Sequence, residues 1–515
     1  MISKPIYFWL PFIPTLVSVI TILTITASCS RQDPQQARLR EGEKLAKTYC
    51  VLCHQFPKPK LLPKKIWEEI LPKMGARMGL SSSAAEMEHM VMLKANGLFP
   101  SQSMVTLEDW FKIQDFYLSL SPDSLKTPKT EIESEPLALF NEKAIQFPHI
   151  EKPSGSLVKF GEKPFELWYG DALKNQLFKY NLKNSSFEEF QLDGAPSHLN
   201  IISDGFQVLT MGNIHPNDWK RGKIFQHTKS ELTAILSQLP RPVHASYGDL
   251  NDDGREDIVV SGFGYMQGSL AWYENTEQGY NLHMLRALPG ALKTDVVDLD
   301  KDGFMDILAL MAQGDEGFFF YKGDGKGNFK ESKVYAFPPS HGSSYYELVD
   351  MNKDGLEDIV YVNGDNGDYS VPILKPYHGV SILLNNGDKE TPTFEEEYFY
   401  SMNGPFKAMP EDYDLDGDID IACISYFPDY ENTPEESFIY LERTDEDNFE
   451  FKAQTIEGAT KGRWLIADRN DYDGDGDIDI ALGNSLVMSY FMPDQTKYNL
   501  KISPFSILLL ENNTK

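Results

Sequence analysis

Cysteine is scarce in this sequence, because only Cys29, Cys50, Cys53 and Cys423 occur among 515 residues. A fold held together by many disulfides is therefore excluded. Cys423 lies in the apolar run Ile421–Ile424, so we expect it to be a buried small hydrophobic residue. The other three cysteines lie near the N-terminus, where their positions call for another explanation.

Positive charge is also in short supply. The chain has 48 Lys and Arg against 77 Asp and Glu, which gives a formal net charge of −29. Nucleic-acid binding is disfavoured, because a phosphate backbone attracts basic surfaces. The excess of acidic side chains needs a cause of its own.

Several signatures of catalysis are missing. The sequence has no phosphate-binding P-loop, no dinucleotide-binding glycine pattern after a strand and no G-x-S-x-G nucleophile turn. It has ten histidines but no H-x-H or H-E-x-x-H spacing, so a histidine metal site is not indicated. A pair of catalytic carboxylates cannot be recognised among so many acids.

Long apolar runs are absent except at the N-terminus. Lys4 is followed by the mostly apolar stretch Ile6–Ile25 and then by the small residues Thr26–Ser28, directly before Cys29. This segment resembles a bacterial lipoprotein signal over residues 1–28, which would make Cys29 the lipidated residue and 29–41 a tether. The usual leucine three positions before the cysteine is replaced by Thr26. An uncleaved membrane helix is the alternative, since the run is nearly long enough to span a bilayer.

The segment Thr48–Lys60 (TYCVLCHQFPKPK) places two cysteines three positions apart and a histidine next to the second. A zinc site would need a second pair of ligands, and a thioredoxin-like centre would not need the histidine. Cys-x-x-Cys-His is the attachment signature of a c-type haem. We therefore expect thioether bonds from Cys50 and Cys53, and iron ligation by His54 on the proximal side.

The surroundings of this motif suggest short helices. Gly42–Tyr49 reads as a helix leading into the motif, and Thr106–Leu120 as an amphipathic helix with Thr106 as N-cap and Trp110, Ile113, Phe116, Tyr117 and Leu120 on one face. Residues 42–122 resemble small monohaem cytochromes c. The resemblance implies a small all-α cytochrome c domain and a thioether as the distal iron ligand, which raises the redox potential.

The distal ligand is left open by the residues themselves. The segment IWEEILPKMG resembles the Trp-to-Met stretch of monohaem domains, which favours Met74 in a turn just past a helix. Other candidates are Met78, Met87, His89, Met90, Met92 and Met104.

Composition changes after Ser121. A polar, proline-containing linker over 123–150 leads into short apolar runs separated by Gly, Asn and Asp over 151–515, a texture typical of an all-β fold. Five segments there share the pattern D-x-[DN]-x-D-G-x-x-D, and their first aspartates are 49, 52, 62 and 59 residues apart. This period suits one four-stranded blade each, so we predict a β-propeller.

Each repeated segment has the donors of a calcium loop: oxygen side chains at positions 1, 3 and 5, a backbone carbonyl at 7, an acid at 9 and Gly at 6 for the turn. The pattern resembles the FG-GAP or VCBS repeats of integrin-like propellers. About five Ca2+ ions would offset part of the acidity. The predicted ligands are Asp249, Asn251, Asp253, Asp257, Asp298, Asp300, Asp302, Asp306, Asp350, Asn352, Asp354, Asp358, Asp412, Asp414, Asp416, Asp420, Asp471, Asp473, Asp475 and Asp479.

Two further blades fit upstream, at Glu166–Asn181 and Ser197–Gly212, which makes seven the predicted number. Closure is expected between Ile502–Leu510 and a strand near Ser156–Phe160, since a closed ring has no exposed edge strands.

The first strand of each blade should line a central channel. Counting back five residues from each first aspartate gives a ring that would suit an anionic ligand such as a carboxylate or sulfate: His244, Lys293, Tyr345, Lys407 and Ile466, with His198 in a similar place and Arg241, His341 and Arg463 nearby. Ordinary loop residues pointing to solvent are the alternative reading.

The whole chain resembles bacterial envelope proteins that join a cytochrome c domain to VCBS or FG-GAP repeats. This implies an electron carrier, lipid-anchored on the periplasmic or outer-membrane face of a Gram-negative cell, whose propeller docks a redox partner or an anionic ligand such as a glycan. Two alternatives stay open: a propeller dehydrogenase passing electrons from a sugar or uronate to its own haem, and a surface glycan-binding or adhesion module. An enzyme is thus possible but is not the favoured reading.

Overall fold

The computed structural model describes residues 33–80, 97, 99–128, 130–229, 231–445, 448–486, 493–498 and 500–514. Within these residues, three α-helices precede or flank a large β structure: α1 (Pro34–Tyr49), α2 (Lys64–Arg77) and α3 (Leu107–Leu120). The predicted signal segment and Cys29 lie outside the described residues, as do Met87, His89, Met90 and Met92. None of the described helices is both long and apolar enough to cross a membrane. Short 3-10 turns occur at Cys50–Leu52, Pro59–Leu61, Pro434–Ser437 and Ala459–Lys461.

The strands form seven antiparallel sheets of four strands each, and we call these sheets blades one to seven in chain order. Blade one consists of β2 (Gly155–Phe160), β3 (Glu166–Asp171), β4 (Gln176–Asn181) and β5 (Phe187–Gln191). Blade two consists of β6 (Pro196–Ile202), β7 (Gly205–Thr210), β8 (Gly222–Thr228) and β9 (Glu231–Leu239). Blade three consists of β10 (Pro242–Gly248), β11 (Asp257–Gly262), β12 (Ser269–Thr276) and β13 (Gly279–Arg286).

Blade four consists of β14 (Ala291–Val297), β15 (Asp306–Met311), β16 (Gly317–Gly323) and β17 (Phe329–Ala336). Blade five consists of β18 (Ser343–Val349), β19 (Asp358–Asn363), β20 (Gly379–Asn385) and β21 (Phe394–Ser401). Blade six consists of β22 (Pro405–Glu411), β23 (Asp420–Ser425), β24 (Phe438–Asp445) and β25 (Glu450–Gln454). Blade seven comprises β26 (Trp464–Asn470), β27 (Asp479–Asn484), β28 (Ile507–Asn512) and the early strand β1 (Phe140–Ile145).

The first strands of neighbouring blades contact each other in a closed circuit that returns from β26 to β2. The structure is therefore a seven-bladed β-propeller, and the predicted blade number and the two upstream blades are confirmed. The second strands of blades three to seven are buried at every position, which matches their apolar sequences, because each is covered by a neighbouring blade on both faces. Cys423 lies in one of them, fully buried as predicted.

Closure differs from the prediction. The last strand β28 pairs with β1, in register from Phe140 opposite Asn512 to Ile145 opposite Ile507. The segment Gly155–Phe160 forms the innermost strand of blade one instead. The closing strand therefore lies inside the stretch that its composition marked as linker, because its exposed outer position requires few apolar residues.

The prediction of a separate all-α cytochrome c domain is wrong. The helices share one apolar core with a loop of blade five, since Ile373 and Tyr369 pack among the buried side chains of α2 and α3. Tyr377 Oη donates to the Leu61 carbonyl at 3.0 Å, and Ser370 Oγ donates to Glu69 at 2.9 Å. The helical segment is thus a cap built onto the propeller, and we call α1–α3 with their connections the helical cap.

Details of the cap also differ from the prediction. α1 begins at Pro34, behind the N-cap Asp33, so it starts within the predicted tether. α3 follows its N-cap Thr106 as predicted and buries Trp110, Ile113, Phe116 and Tyr117, whereas Leu120 is exposed. Met74 lies inside α2 and not in a turn beyond it, because the helix continues through Pro72 to Arg77.

Opposite ends of the blades carry different kinds of loop. The acidic repeats connect first to second strands, whereas the loops that contact the cap connect second to third strands, namely those containing Met266, Asp315 and Tyr377. Because consecutive strands are antiparallel, these two sets of loops lie on opposite faces of the propeller. We call them the acidic face and the cap face.

Candidate cofactor and metal sites

The five acidic loops have one common backbone shape. The aspartate at position 1 accepts the N–H of the Gly at position 6 in each, at 2.7 to 3.1 Å. Positions 4 and 6 both have positive φ, between 57° and 98°, although position 4 is Asp252, Lys301, Lys353, Leu415 or Gly474. Five sequences adopting one unusual backbone indicate that the loop shape is determined by the shared Asp and Gly positions.

Side-chain oxygens converge inside these loops. In blades four, six and seven, three carboxylates each offer an oxygen within 4.8 Å of the others: Asp298, Asp300 and Asp302; Asp412, Asp414 and Asp416; Asp471, Asp473 and Asp479. Asp412 Oδ1 and Asn251 Oδ1 are buried, and neither has a hydrogen-bond partner within the described part of the chain. A buried oxygen without a donor is costly. A hard cation would satisfy these atoms, so the donor set fits calcium.

The acid at position 9 also has a structural role. Asp257, Asp306, Asp358, Asp420 and Asp479 are buried, and each accepts a backbone N–H from the third strand of its own blade, at 2.7 to 2.8 Å. In all but the sixth blade, the other oxygen also accepts the N–H at position 2 of the loop. Burial raises the pKa of Asp420 and Asp479 to about 7, against these stabilising hydrogen bonds. Through its hydrogen bonds, the position-9 carboxylate holds the loop against the sheet.

The Cys-x-x-Cys-His segment lies on the cap face. Residues 51–56 line a surface cavity of about 450 Å³, whose opposite wall is Asp315, Lys333 and Ala336 of blade four. Val51 and Leu52 are 47% and 58% exposed there. A group held by this segment would therefore touch both the cap and the propeller.

The chemistry of the segment fits a haem. His54 Nδ1 lies 2.9 Å from the Gln55 carbonyl, which leaves Nε2 as the nitrogen available to a metal. Burial lowers the pKa of His54, which favours the neutral ring that a metal ligand needs. Cys50 and Cys53 are both free thiols, with Cys53 exposed and Cys50 half-buried within 3.9 Å of Tyr117 Oη. Exposed apolar side chains beside them provide surface that a macrocycle would cover.

Candidates for the distal ligand are spread over the cap. Met74 packs partly buried in the core of the cap, together with Met78. Met104 donates its N–H to the Met78 carbonyl at 2.9 Å and is 39% exposed. All three stay candidates.

The predicted ring in the channel is brought together by the fold. The rings of His198 and His244 lie 4.6 Å apart, and the ammonium groups of Lys293 and Lys407 lie 5.0 and 4.8 Å from the centre of the Tyr345 ring. Lys293 also pairs with Asp295 at 2.9 Å, and Lys407 donates to the Ala467 carbonyl at 2.9 Å. Burial lowers the pKa of both histidines well below the ordinary value, and the nearby lysines lower it further. The ring is therefore polar, and part of its positive charge is offset by Asp295 and by the Ala467 carbonyl.

Arg463, Arg241 and His341, which were predicted near this ring, have contacts of their own. Arg463 is buried with its guanidinium 4.0 Å from the Tyr426 ring centre. Arg241 donates to the Ile214 carbonyl at 2.6 Å, and His341 stacks on Phe337 with centroids 4.8 Å apart. Ile466, a predicted member of the ring, is the third residue of β26, the same position that Lys407 has in β22, and it also packs against the core of blades seven and one.

Sequence reasoning missed a buried ionisable cluster beneath the cap. Glu316 is 2% exposed and accepts hydrogen bonds from the Ser343 N–H at 2.8 Å and the Ser343 hydroxyl at 2.6 Å. Lys375 is 1% exposed and donates to the Ser340 carbonyl at 3.1 Å. No sequence signal marked this cluster, because its members come from three separate loops.

Comparison with known proteins identifies part of the repeat array. Two windows, residues 249–309 and 298–361, match the family described as FG-GAP-like repeat. No curated protein matches the chain in sequence. The chain thus carries FG-GAP-like repeats within a seven-bladed propeller, an architecture suited to docking a ligand or a partner.

Several solved structures resemble the chain only distantly. The N-terminal domain of Nup159 has a TM-score of 0.40 at 10% identity, covering 75% of this chain and 99% of that one. Saccharomyces cerevisiae Sqt1 has a TM-score of 0.41 at 9% identity, with coverages of 72% and 97%. BBS1N, solved in complex with ARL6DN, has a TM-score of 0.43 at 9% identity, with coverages of 73% and 97%.

Proposed function

We propose that this chain is an extracytoplasmic electron-transfer protein, anchored to the envelope of a Gram-negative bacterium through Cys29. Cys50 and Cys53 would bind a haem covalently, His54 would ligate its iron, and Met74 is the first candidate for the distal ligand. A haem bound there would supply one-electron chemistry. The propeller would dock the redox partner.

One observation carries this proposal. The Cys-x-x-Cys-His segment forms one wall of a cavity whose other wall is the propeller. Its histidine has the Nδ1 side engaged by a carbonyl, and its neighbours are exposed apolar side chains. A surface metal site or a structural cysteine pair would not require a cavity with exposed apolar side chains beside the cysteines.

The residues of the propeller wall would modulate the bound group. Lys333 pairs with Asp315 at 2.6 Å, and Arg286 pairs with the same carboxylate at 2.7 Å. These charges stand beside the cavity on the propeller side. We therefore infer that blade four shields one edge of the cofactor from solvent and influences its potential.

Calcium binding by the acidic loops belongs to the same proposal. The convergent carboxylates and the unsatisfied oxygen of Asp412 support it. In this reading, calcium stabilises the acidic face and takes no part in electron transfer, because the haem segment lies on the opposite face.

Covalent haem is tested by producing the protein in a host that matures c-type cytochromes. We expect a haem band that survives denaturing electrophoresis and a pyridine haemochrome spectrum typical of two thioethers. Cys50→Ala with Cys53→Ala should abolish both, whereas Cys423→Ala, a buried cysteine far in sequence, should retain both. Haem-free wild-type protein from a host that loads a control cytochrome would contradict the proposal.

A second candidate follows from the channel. The convergence of Lys293, Lys407 and two histidines would suit a carboxylate or sulfate, so a dehydrogenase that oxidises a sugar or uronate and reduces its own haem is the alternative. Haem reduction is monitored anaerobically by visible spectroscopy as sugars, uronates and sulfated sugars are added, with and without a quinone cofactor. Reduction by one class would favour the enzyme. Reduction only by a small-molecule reductant would favour the carrier, and retention on a glycan array without reduction would favour a binding module.

A further inference from the structure

One position distinguishes the five acidic loops from one another. In each blade, one residue of the third strand donates its N–H to the position-9 aspartate. The residue directly before it in the chain occupies what we call the gate position. The gate residues are Glu274 in blade three, Lys322 in blade four, Leu384 in blade five, Glu442 in blade six and Glu511 in blade seven. Three of them are acids and one is a lysine.

The glutamates at the gate position face their loops. Asn251, at position 3 of its loop, donates to Glu274 Oε1 at 3.3 Å. Tyr472, at position 2 of its loop, donates to Glu511 Oε1 at 2.7 Å. A glutamate there adds negative charge near a loop and strengthens its attraction for a divalent cation.

Lys322 reverses that charge in blade four. Its ammonium contacts the Asp300 carboxylate, lies 3.2 Å from Asp302 Oδ2, and donates to the Lys389 carbonyl at 2.9 Å. The Asp300 side chain is 0% exposed, so it has no access to solvent counter-ions. In blade three, by contrast, Arg255 pairs with Asp253 while its own side chain is 41% exposed, so that cation can move into water at little cost.

We propose that Lys322 takes the place of calcium in the loop of blade four. The lysine ammonium offsets part of the negative charge of Asp300 and Asp302, and the loop keeps its shape without a metal ion. A divalent ion entering there would have to displace this ammonium from the buried Asp300 carboxylate or share its ligands. This inference rests on the proposed calcium binding by the other acidic loops.

Calcium counting tests the inference. Purified protein is loaded with calcium and desalted, and bound calcium per chain is measured by elemental analysis and by titration calorimetry. We expect Lys322→Gln and Lys322→Glu to bind one ion more than the wild type. Lys322→Arg keeps the charge and should keep the wild-type count. Lys330→Gln removes an exposed lysine from the neighbouring strand and should also leave the count unchanged.

A double variant assigns the extra ion to blade four. Lys322→Gln combined with Asp300→Asn should return to the wild-type count, because it removes a ligand of the new site. Circular dichroism establishes that each variant is folded. Lys322→Gln should melt below the wild type in chelator, since buried Asp300 has lost its partner, and should gain more from added calcium.

The outcomes distinguish the proposed role of Lys322 from the proposed calcium binding on which it rests. If the wild type binds calcium and both Lys322→Gln and Lys322→Glu bind the same number of ions, the role of Lys322 is overturned and calcium binding stands. If neither the wild type nor any variant binds calcium, both are overturned.

Discussion

Glu316 shows how one buried side chain can make stability depend on pH. Burial raises its pKa to about 7, although both hydrogen bonds from Ser343 favour the ionised form. Lys375 and Asp365 are its charged neighbours in the cluster, and burial lowers the pKa of that lysine to about 8. The cluster is therefore held close to neutrality by protons as well as by charge pairing.

The expected pH profile follows from the direction of this shift. Between pH 4.5, the ordinary value for Glu, and about 7, the folded protein holds a proton that the unfolded chain has released. The free energy of unfolding therefore falls as pH rises across this window, by about 3 kcal/mol for this group alone. Glu316→Gln should flatten that part of the profile in denaturant titrations at several pH values, whereas exposed Glu397→Gln should not. Parallel profiles for wild type and Glu316→Gln would contradict this assignment.

In blades six and seven, the repulsion within the acidic loop calls for an external cation. Positions 1 and 9 fix each loop to its own turn and to the third strand, and this holds three carboxylates close together in each of these two blades. Like charges at such distances destabilise the folded loop. The hydrogen bonds create the shape and a metal would balance the charge.

We therefore expect calcium removal to lower the melting temperature of the protein. When the free calcium concentration is 100 times the dissociation constant, one site adds about 2.7 kcal/mol to the free energy of unfolding. Melting is followed by circular dichroism in chelator, in excess calcium, and in chelator back-titrated with calcium, which should restore the original temperature. Identical melting temperatures in chelator and in calcium would show that the loops stand without metal.

For the whole molecule, the central fact is that the cap and the propeller share a core. Ile373, from the loop between β19 and β20, is 8% exposed and belongs to the cluster of buried side chains in the cap. Tyr377 and Ser370 in the same loop donate to Leu61 and Glu69. The cap that carries the Cys-x-x-Cys-His segment is thus held by a loop that lies far along the chain, with Tyr377 316 residues beyond Leu61.

Ile373→Ala should loosen the cap without opening the propeller. The lost apolar contacts and the cavity left behind cost about 2–5 kcal/mol. We expect faster hydrogen exchange and proteolysis within α1–α3, and unchanged protection of the second strands of the blades. Val371→Ala, two residues away and 55% exposed, is the matched control and should behave as the wild type. Equal protection of the cap in both variants would mean that the cap is stable by itself.

The propeller was predictable because its signals are local and repeated. Five loops of one pattern, each before an apolar strand, fix blade size and the position of each turn. The gate residues could not be found in this way, because the residue that follows each of them lies at a variable distance of 17 to 33 residues from the position-9 aspartate. Loops of different length between the second and third strands erase any fixed spacing.

Tertiary contacts decided the features that were predicted wrongly. An amphipathic helix such as α3 shows that an apolar face is buried but does not say against what, so the cap looked like an independent domain. Ile373 and Tyr369 are far away in sequence and gave no sign of covering it. Likewise the half-exposed strand β1 carries too weak an alternation to be distinguished from a linker.

Pairing of β1 with β28 has a consequence for the order in which the protein can be made. Asn141 and Asn513, at the outer end of that pair, are 372 residues apart, so the ring cannot close until all the blades between them have been synthesised. Six blades can assemble as they emerge, but the seventh must wait with an unpaired strand edge at each end. Closing so long a loop is slow, and open edges invite pairing with other chains. A propeller built in this way depends on protection of its open strand edges until its last strand arrives.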